Sequence, residues 1–294
     1  QDTFKNDKLG LIKFIKSFRK KRYDYVIDAY GKLESILITI FAKAKTKIGY
    51  SKFYTDCIYN MPVKRIKSSN QKLQLSILHR LQLLDPILGN SINTTDFQIH
   101  LTQNEEKEIA KKFDLTLEGN KNPIMIIAMG SGKNKTYPIE YLALLIEMAF
   151  ETTNAPMILN YMPKQKMEIT RLIKMLKPKT KKAIQNSLTP NSLRDYIVTV
   201  SQCQAVIGNE GGAINIAKGL SKPTFAIFSP IIDPYGWHTE VKNKTMAVHL
   251  SDYFPEIIDF KNKTRKIDHI KTLYLKLEPK LFKQKWIGFL KELK

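Results

Sequence analysis

Only two cysteines, Cys57 and Cys203, occur in the 294 residues, far apart and without a partner at metal-ligand spacing. That excludes a disulfide framework and leaves two reduced thiols in a reducing compartment as the expectation. The five histidines (His79, His100, His238, His249, His269) show neither His-x-x-x-His nor His-Glu-x-x-His spacing, so a protein-built zinc site is not expected. No stretch approaches the roughly 20 apolar residues that cross a bilayer. The opening Gln-Asp-Thr-Phe-Lys-Asn-Asp-Lys is no signal peptide, and with no initiating Met a fragment or processed product is expected. Acidic residues are scarce: 27 Asp and Glu face 48 Lys and Arg, for a net charge of +21. Such an excess suits three partners, namely nucleic acid, an anionic membrane surface or a polyanionic substrate. Nearly all the cations are Lys, so a compositional bias of the genome accounts for part of it. Nucleic acid is the least favoured partner, since no basic strand interleaved with aromatics and no recognition helix is visible.

What the chain does have is concentrated at 206–230. A short apolar run ends at Gly208-Asn209-Glu210-Gly211-Gly212, and an apolar-periodic helix follows through Ile214, Ala217 and Leu220. Pro223 then opens a second apolar run over 224–228. Strand, glycine turn, helix and strand make a βαβ unit whose turn lies at the carboxyl end of its first strand. In open α/β sheets ligands sit there, because backbone N–H groups and the helix N-terminus converge. An ordinary tight turn explains the Gly-Gly pair by itself; the polar Asn209, Glu210 and Asn215 around it turn the reading towards a site.

The same pattern recurs upstream. A strand over 124–129 runs into Gly130-Ser131-Gly132-Lys133-Asn134-Lys135-Thr136-Tyr137-Pro138, followed by a helix over 139–150. Glycines, a hydroxyl and a cation at a helix head suit a phosphate, with Ser131 donating and Lys135 neutralising. The spacing is neither a Walker motif nor the dinucleotide fingerprint. Strands are also expected at 156–161, 182–185, 205–207 and 245–249, with helices at 164–176, 192–201 and 281–293. In the first half a basic amphipathic helix is expected over 8–22, strands at 23–28, 46–50 and 97–101, and helices at 32–42 and 69–84. This alternation implies parallel sheets with right-handed crossovers. The polar stretch 102–122, with one helix at 105–113, reads as linker. The expected division is 1–101, linker 102–122, 123–278, and a basic final helix over 279–294 packing back on the first domain.

Two glycine turns after parallel strands of one sheet place Lys135 and Glu210 on a common edge. A diphosphate would meet Ser131 and Lys135, while Asn209, Glu210 and Asn215 hold a sugar or base. The segment Asn209 to Pro230 resembles the signature of glycosyltransferase family 9, the heptosyltransferases of lipopolysaccharide core assembly. Residues 129–138, Arg22-Tyr23-Asp24-Tyr25-Val26-Ile27-Asp28 and Lys47-Ile48-Gly49-Tyr50 resemble further segments of that family. The resemblance implies an α/β fold of GT-B type: two Rossmann-like domains whose parallel sheets face a cleft, acceptor side first and donor side second.

It also implies an inverting, metal-independent transfer of sugar from an ADP-linked nucleotide sugar to a lipopolysaccharide core or lipid A acceptor. No cofactor is expected, and the protein would be cytoplasmic and peripheral at the inner membrane. By position Gly130, Ser131, Lys135, Asn209, Glu210, Gly211, Gly212 and Asn215 would serve the donor, Asn215 replacing a family histidine. The chain resembles the family only from after the first strands of the acceptor domain, and the family's Gly-Asp pair, whose aspartate is taken as the base, has no counterpart. Asp28, at the end of its strand, is the remaining candidate for a chemical role, its other reading being to shape the acceptor cleft. A non-catalytic sugar-nucleotide binder and a basic nucleic-acid-binding α/β protein stand as alternatives. The apolar stripe Phe282, Trp286, Phe289 and Leu290 reads either as a membrane contact beside the lysines or as ordinary packing.

Overall fold

The computed structural model describes residues 7–66, 74–89, 97–117, 121–132, 135–241, 244–258, 260 and 267–293. The contacts divide the chain into two units, Gln1–Thr95 and Asp96–Lys294. Of the expected elements, the start of the helix at 69–84 lies outside the described residues, as do Lys133 and Asn134.

The first unit begins with helix α1 (Lys8–Lys20), capped by Asp7, whose carboxylate accepts from the Gly10 amide at 2.8 Å. Strand β1 (Tyr23–Asp28), helix α2 (Leu33–Phe41), strands β2 (Ala44–Tyr50) and β3 (Met61–Val63) and helices α3 (Leu75–Gln82) and α4 (Asp85–Leu88) follow. The strands pair in parallel in the order β1-β2-β3. The sequence reading missed β3 because it is three residues long and carries Pro62. Ile48, Tyr50 and Leu83 form a small core, with Val63 and Ile87 against it.

The second unit holds helix α5 (Gln103–Leu117), strand β4 (Ile124–Ile127), helix α6 (Ile139–Thr153), strand β5 (Met157–Asn160) and helices α7 (Lys166–Met175), α8 (Pro178–Lys182) and α9 (Leu193–Gln202). Strand β6 (Ala205–Asn209), helix α10 (Gly212–Gly219), strands β7 (Thr224–Ile227) and β8 (Thr245–Val248) and helices α11 (Ile267–Lys276) and α12 (Pro279–Lys291) complete it. All neighbouring strands are parallel, in the order β5-β4-β6-β7-β8. Side chains alternate across the sheet. Ile124 and Ile126 face a core shared with α6, α7, α11 and α12, while Met125 and Ile127 face one shared with α5, α9 and α10. Both faces are covered, which is why the strands read as continuous apolar runs.

Four expectations change. Residues 97–101 form no strand; Ile99 donates one backbone hydrogen bond to the Gly219 carbonyl, and the segment packs on α10. Residues 103–117 are not linker but a helix that buries Ile109, Phe113 and Leu117 in the second unit. The brief strand at 182–185 reduces to a single bridge between Ile184 and Met157. The final helix α12 lies against α6 within the second unit, with Phe282, Trp286, Phe289 and Leu290 in the core beside Phe225. Burying a side chain such as Phe282 contributes about 1.5–3 kcal/mol, so this stripe is packing. Among the described residues no helix is long and apolar enough to cross a membrane.

Candidate functional site

The chain leaves β4 to one side for β5 and crosses to the other side for β6. The loops after β4 and β6 therefore diverge at the carboxyl edge, the topological switch point where α/β sheets hold ligands. A pocket of about 660 Å³ opens there. Residues 129–131 after β4, 160–163 and 165–166 after β5, 189–193 ahead of α9, and 210–213 at the head of α10 line it.

Lys135 and Glu210, 75 residues apart in sequence, form an ion pair of 3.5 Å that ties the β4 and β6 loops together. Burial raises the Glu210 carboxyl above its usual pKa, and Lys135 opposes the rise. Its Oε1 is buried without a hydrogen bond, so the pair is held by charge rather than by a directed N–H. Gly211, at φ +152°, leads into α10, whose N-terminus has no side-chain cap. The first-turn N–H groups of that helix, at Gly212 and Ala213 on the pocket wall, carry its positive dipole end. Ser131 is exposed and lines the pocket from the loop after β4. The pocket offers an exposed hydroxyl and a helix end to an anionic ligand and a carboxylate to hydroxyls, with the Lys135 cation 3.5 Å from that carboxylate and outside the lining.

Other site expectations need correction. Gly130 does not offer its N–H, which Thr136 Oγ1 accepts at 3.1 Å while the Thr136 hydroxyl donates to the Gly132 carbonyl. Gly130 supplies shape instead: a Cβ there would stand 1.9 Å from the Lys135 carbonyl oxygen. Asn209 is fully buried, with its side-chain amide engaged by backbone groups. Its Oδ1 accepts from the Tyr137 amide at 2.7 Å, and its Nδ2 donates to the Ile127 and Ala128 carbonyls at 3.0 Å each. As the last residue of β6 it points towards β4, so strand alternation sends the next side chain, Glu210, out to the pocket. Asn215 is half-buried and is not among the pocket's lining residues.

Asp28, in the first unit, is buried with both oxygens engaged. One accepts from the Tyr30 and Gly31 amides at 3.0 and 2.8 Å, the other from Ser35 Oγ at 3.0 Å and Tyr59 Oη at 2.8 Å. A carboxylate so committed holds its own turn, where Gly31 sits at φ +60°, and has donors on both oxygens.

Sequence reasoning missed Gln165, Tyr196 and the 189–193 segment. Gln165 accepts from the Met162 amide at 2.8 Å and donates to the Gly130 carbonyl at 3.0 Å, joining the β5 and β4 loops. Tyr196 donates to the Ala213 carbonyl at 3.0 Å from beneath the pocket. Only Thr189-Pro190-Asn191-Ser192, a turn ending in the N-cap of α9, had a readable signal. Among the described residues no group of three or more His, Cys, Asp or Glu side chains converges at metal-binding distance.

The fold and pocket define a doubly wound α/β protein with its ligand crevice at the switch point of the second sheet. The description "Glycosyltransferase family 9 (heptosyltransferase)" matches residues 11–261, most of the chain, and the chain belongs to that family. It is a glycosyltransferase of heptosyltransferase type, with the α/β fold and parallel sheets of GT-B heptosyltransferase structures. The ADP-heptose lps heptosyltransferase II of E. coli is similar at 16% identity and TM-score 0.66, over 92% of this chain and 82% of that one. The E. coli heptosyltransferase WaaC with ADP-2-deoxy-2-fluoro heptose is similar at 20% identity and TM-score 0.60, over 82% and 70%. A glycosyl transferase family 9 protein of Veillonella parvula is similar at 14% and TM-score 0.65, over 91% and 78%. Comparison with curated proteins finds no match.

Proposed function

We propose that the pocket of the second unit binds an ADP-linked sugar and that the enzyme transfers this sugar, with inversion, to a lipopolysaccharide core or lipid A acceptor. The observation that carries the donor reading is the Lys135–Glu210 pair, whose carboxylate lines the switch-point pocket and whose cation stands 3.5 Å from it, outside that lining. The departing diphosphate is stabilised by Lys135 and by the uncapped end of α10, so the transfer proceeds without a metal. Ser131 joins Lys135 on the diphosphate, and Glu210 takes hydroxyls of the donor. The neighbour WaaC was solved with ADP and with an ADP-heptose analogue, which supports the adenine nucleotide. A polyphosphorylated acceptor in an anionic leaflet suits the net charge of +21, and the same charge holds the protein at the membrane surface.

Thermal unfolding with ADP, GDP and UDP tests the donor reading. ADP at about 100 times its dissociation constant stabilises by about 2.7 kcal/mol, a rise in Tm of roughly 5–10 °C for a unit of this size. No shift from any of the three nucleotides would end the donor assignment.

A further inference from the structure

Lys218 lies on α10 two turns beyond Gly211, half-buried, on the side of the helix away from Gly212, Ala213 and Ile216, which line the pocket. Helical side chains lean towards the N-terminus, so its amine is carried back to the sheet edge. There it meets His238, from the loop after β7, at 3.4 Å from Nδ1. Among the described residues no carboxylate lies within ion-pair distance of this amine, and Glu240, from the same loop, is taken by Lys285 at 2.9 Å.

The amine has only N–H groups to give, so Nδ1 is the acceptor and the neutral ring carries its proton on Nε2. That Nε2 is buried and unpartnered. Burial lowers the Lys218 amine to about 8, and burial together with Lys218 and Lys285 holds His238 near 3. Among the described residues the amine thus has His238 Nδ1 as its side-chain acceptor and no carboxylate, and the Nε2–H has no partner, a costly state for half-buried groups unless a ligand completes it.

We propose that Lys218, oriented by His238, binds one phosphate or carboxylate group at a site separate from the 660 Å³ pocket. The site shares the sheet edge with that pocket but not its walls, and it does not depend on the donor reading. On a glycosyltransferase it suits an acidic group borne by a substrate. His238 takes one N–H of the amine and leaves the others for oxygens of the ligand, so a change at His238 alters the amine's direction without removing its charge.

The test is acetylation of the folded chain by an amine-reactive ester near pH 8, read lysine by lysine through peptide mass spectrometry. Inorganic phosphate, acetate and ADP are added separately at constant ionic strength, with the exposed Lys107 as reference. Phosphate or acetate is expected to slow Lys218 saturably, roughly tenfold at about nine times the dissociation constant, and to leave Lys107 unchanged. Whichever anion protects identifies the source, and Lys218→Met abolishes the rise in Tm that this anion produces. Equal effects of phosphate and acetate on Lys218 and Lys107, or a full anion-dependent rise in Lys218→Met, overturn the proposal. Protection by ADP and by neither small anion also overturns it, because the amine then belongs to the nucleotide pocket.

Discussion

Replacing Asn209 by Ala should damage the second unit far more than the same change at Asn215, although both asparagines flank one glycine turn. Asn209 makes three hydrogen bonds to backbone groups: the Tyr137 amide and the Ile127 and Ala128 carbonyls. Each buried group left unsatisfied costs about 1–3 kcal/mol, and with partial relaxation and entry of water the sum comes to about 3–5 kcal/mol. Asn215 is half-buried on α10, outside the pocket's lining, and its loss should cost less than about 1 kcal/mol. Both tryptophans, Trp237 and Trp286, lie in the second unit, so fluorescence-monitored urea unfolding reports that unit. With a slope of about 3 kcal/mol/M, the midpoint of Asn209→Ala should fall by about 1–1.7 M, and that of Asn215→Ala should barely move. ADP affinity should fall with it, because the freed Tyr137 amide releases the loop that carries Lys135. If Asn209→Ala unfolds within a few tenths of a molar of the parent while Asn215→Ala does not, the two residues have been assigned the wrong way round.

Lys135→Met should weaken ADP binding by about 10–100-fold, the equivalent of one charge-assisted contact, and isothermal titration calorimetry measures it directly. Unchanged affinity would remove Lys135 from the diphosphate. His238, held near 3 against a usual 6.5, binds no proton in the fold where the unfolded chain binds one. Its contribution to stability is therefore complete above about pH 6.5 and is lost as pH falls towards 3, with a slope of at most about 1.4 kcal/mol per pH unit. Urea midpoints taken across that range should flatten in His238→Asn; an unchanged acid slope would contradict its neutral state. Trp286→Ala, which empties a fully buried site against Phe225, should cost about 3–5 kcal/mol, and a loss below 1 kcal/mol would return α12 to the surface.

Most of the second unit was legible because parallel strands covered on both faces must be apolar throughout. The runs at β4, β6 and β7 each end in glycine or a polar turn that marks a carboxyl edge. What was not legible depends on partners distant in sequence. Residues 97–101 alternate like a strand, but whether such a run joins a ladder depends on a free neighbour, and Ile99 finds only the Gly219 carbonyl. The docking of α12 was misread for the same reason. An apolar stripe flanked by lysines specifies burial but not the surface that buries it, and here Phe225 and α6 supply it.

The site shows this limit at the scale of one residue. Asn209 and Glu210 are adjacent, both polar, and both beside the glycines, so composition gives them the same standing. Their roles separate because the strand ends between them: the pleat turns Asn209 into the gap between β4 and β6, and Glu210 beyond it. Lys135 could be matched to Glu210 from sequence because both follow strands of one sheet, and strand polarity alone puts them on a common edge. Asp28 could not be judged in that way. At the end of β1 it has the position of a reacting carboxylate, and only the donors reaching it from Tyr30, Gly31, Ser35 and Tyr59 reveal an acid spent on its own turn. Lone polar residues at strand ends therefore carry little information until their hydrogen bonds are counted, whereas an opposite-charged pair at the ends of neighbouring parallel strands carries a good deal.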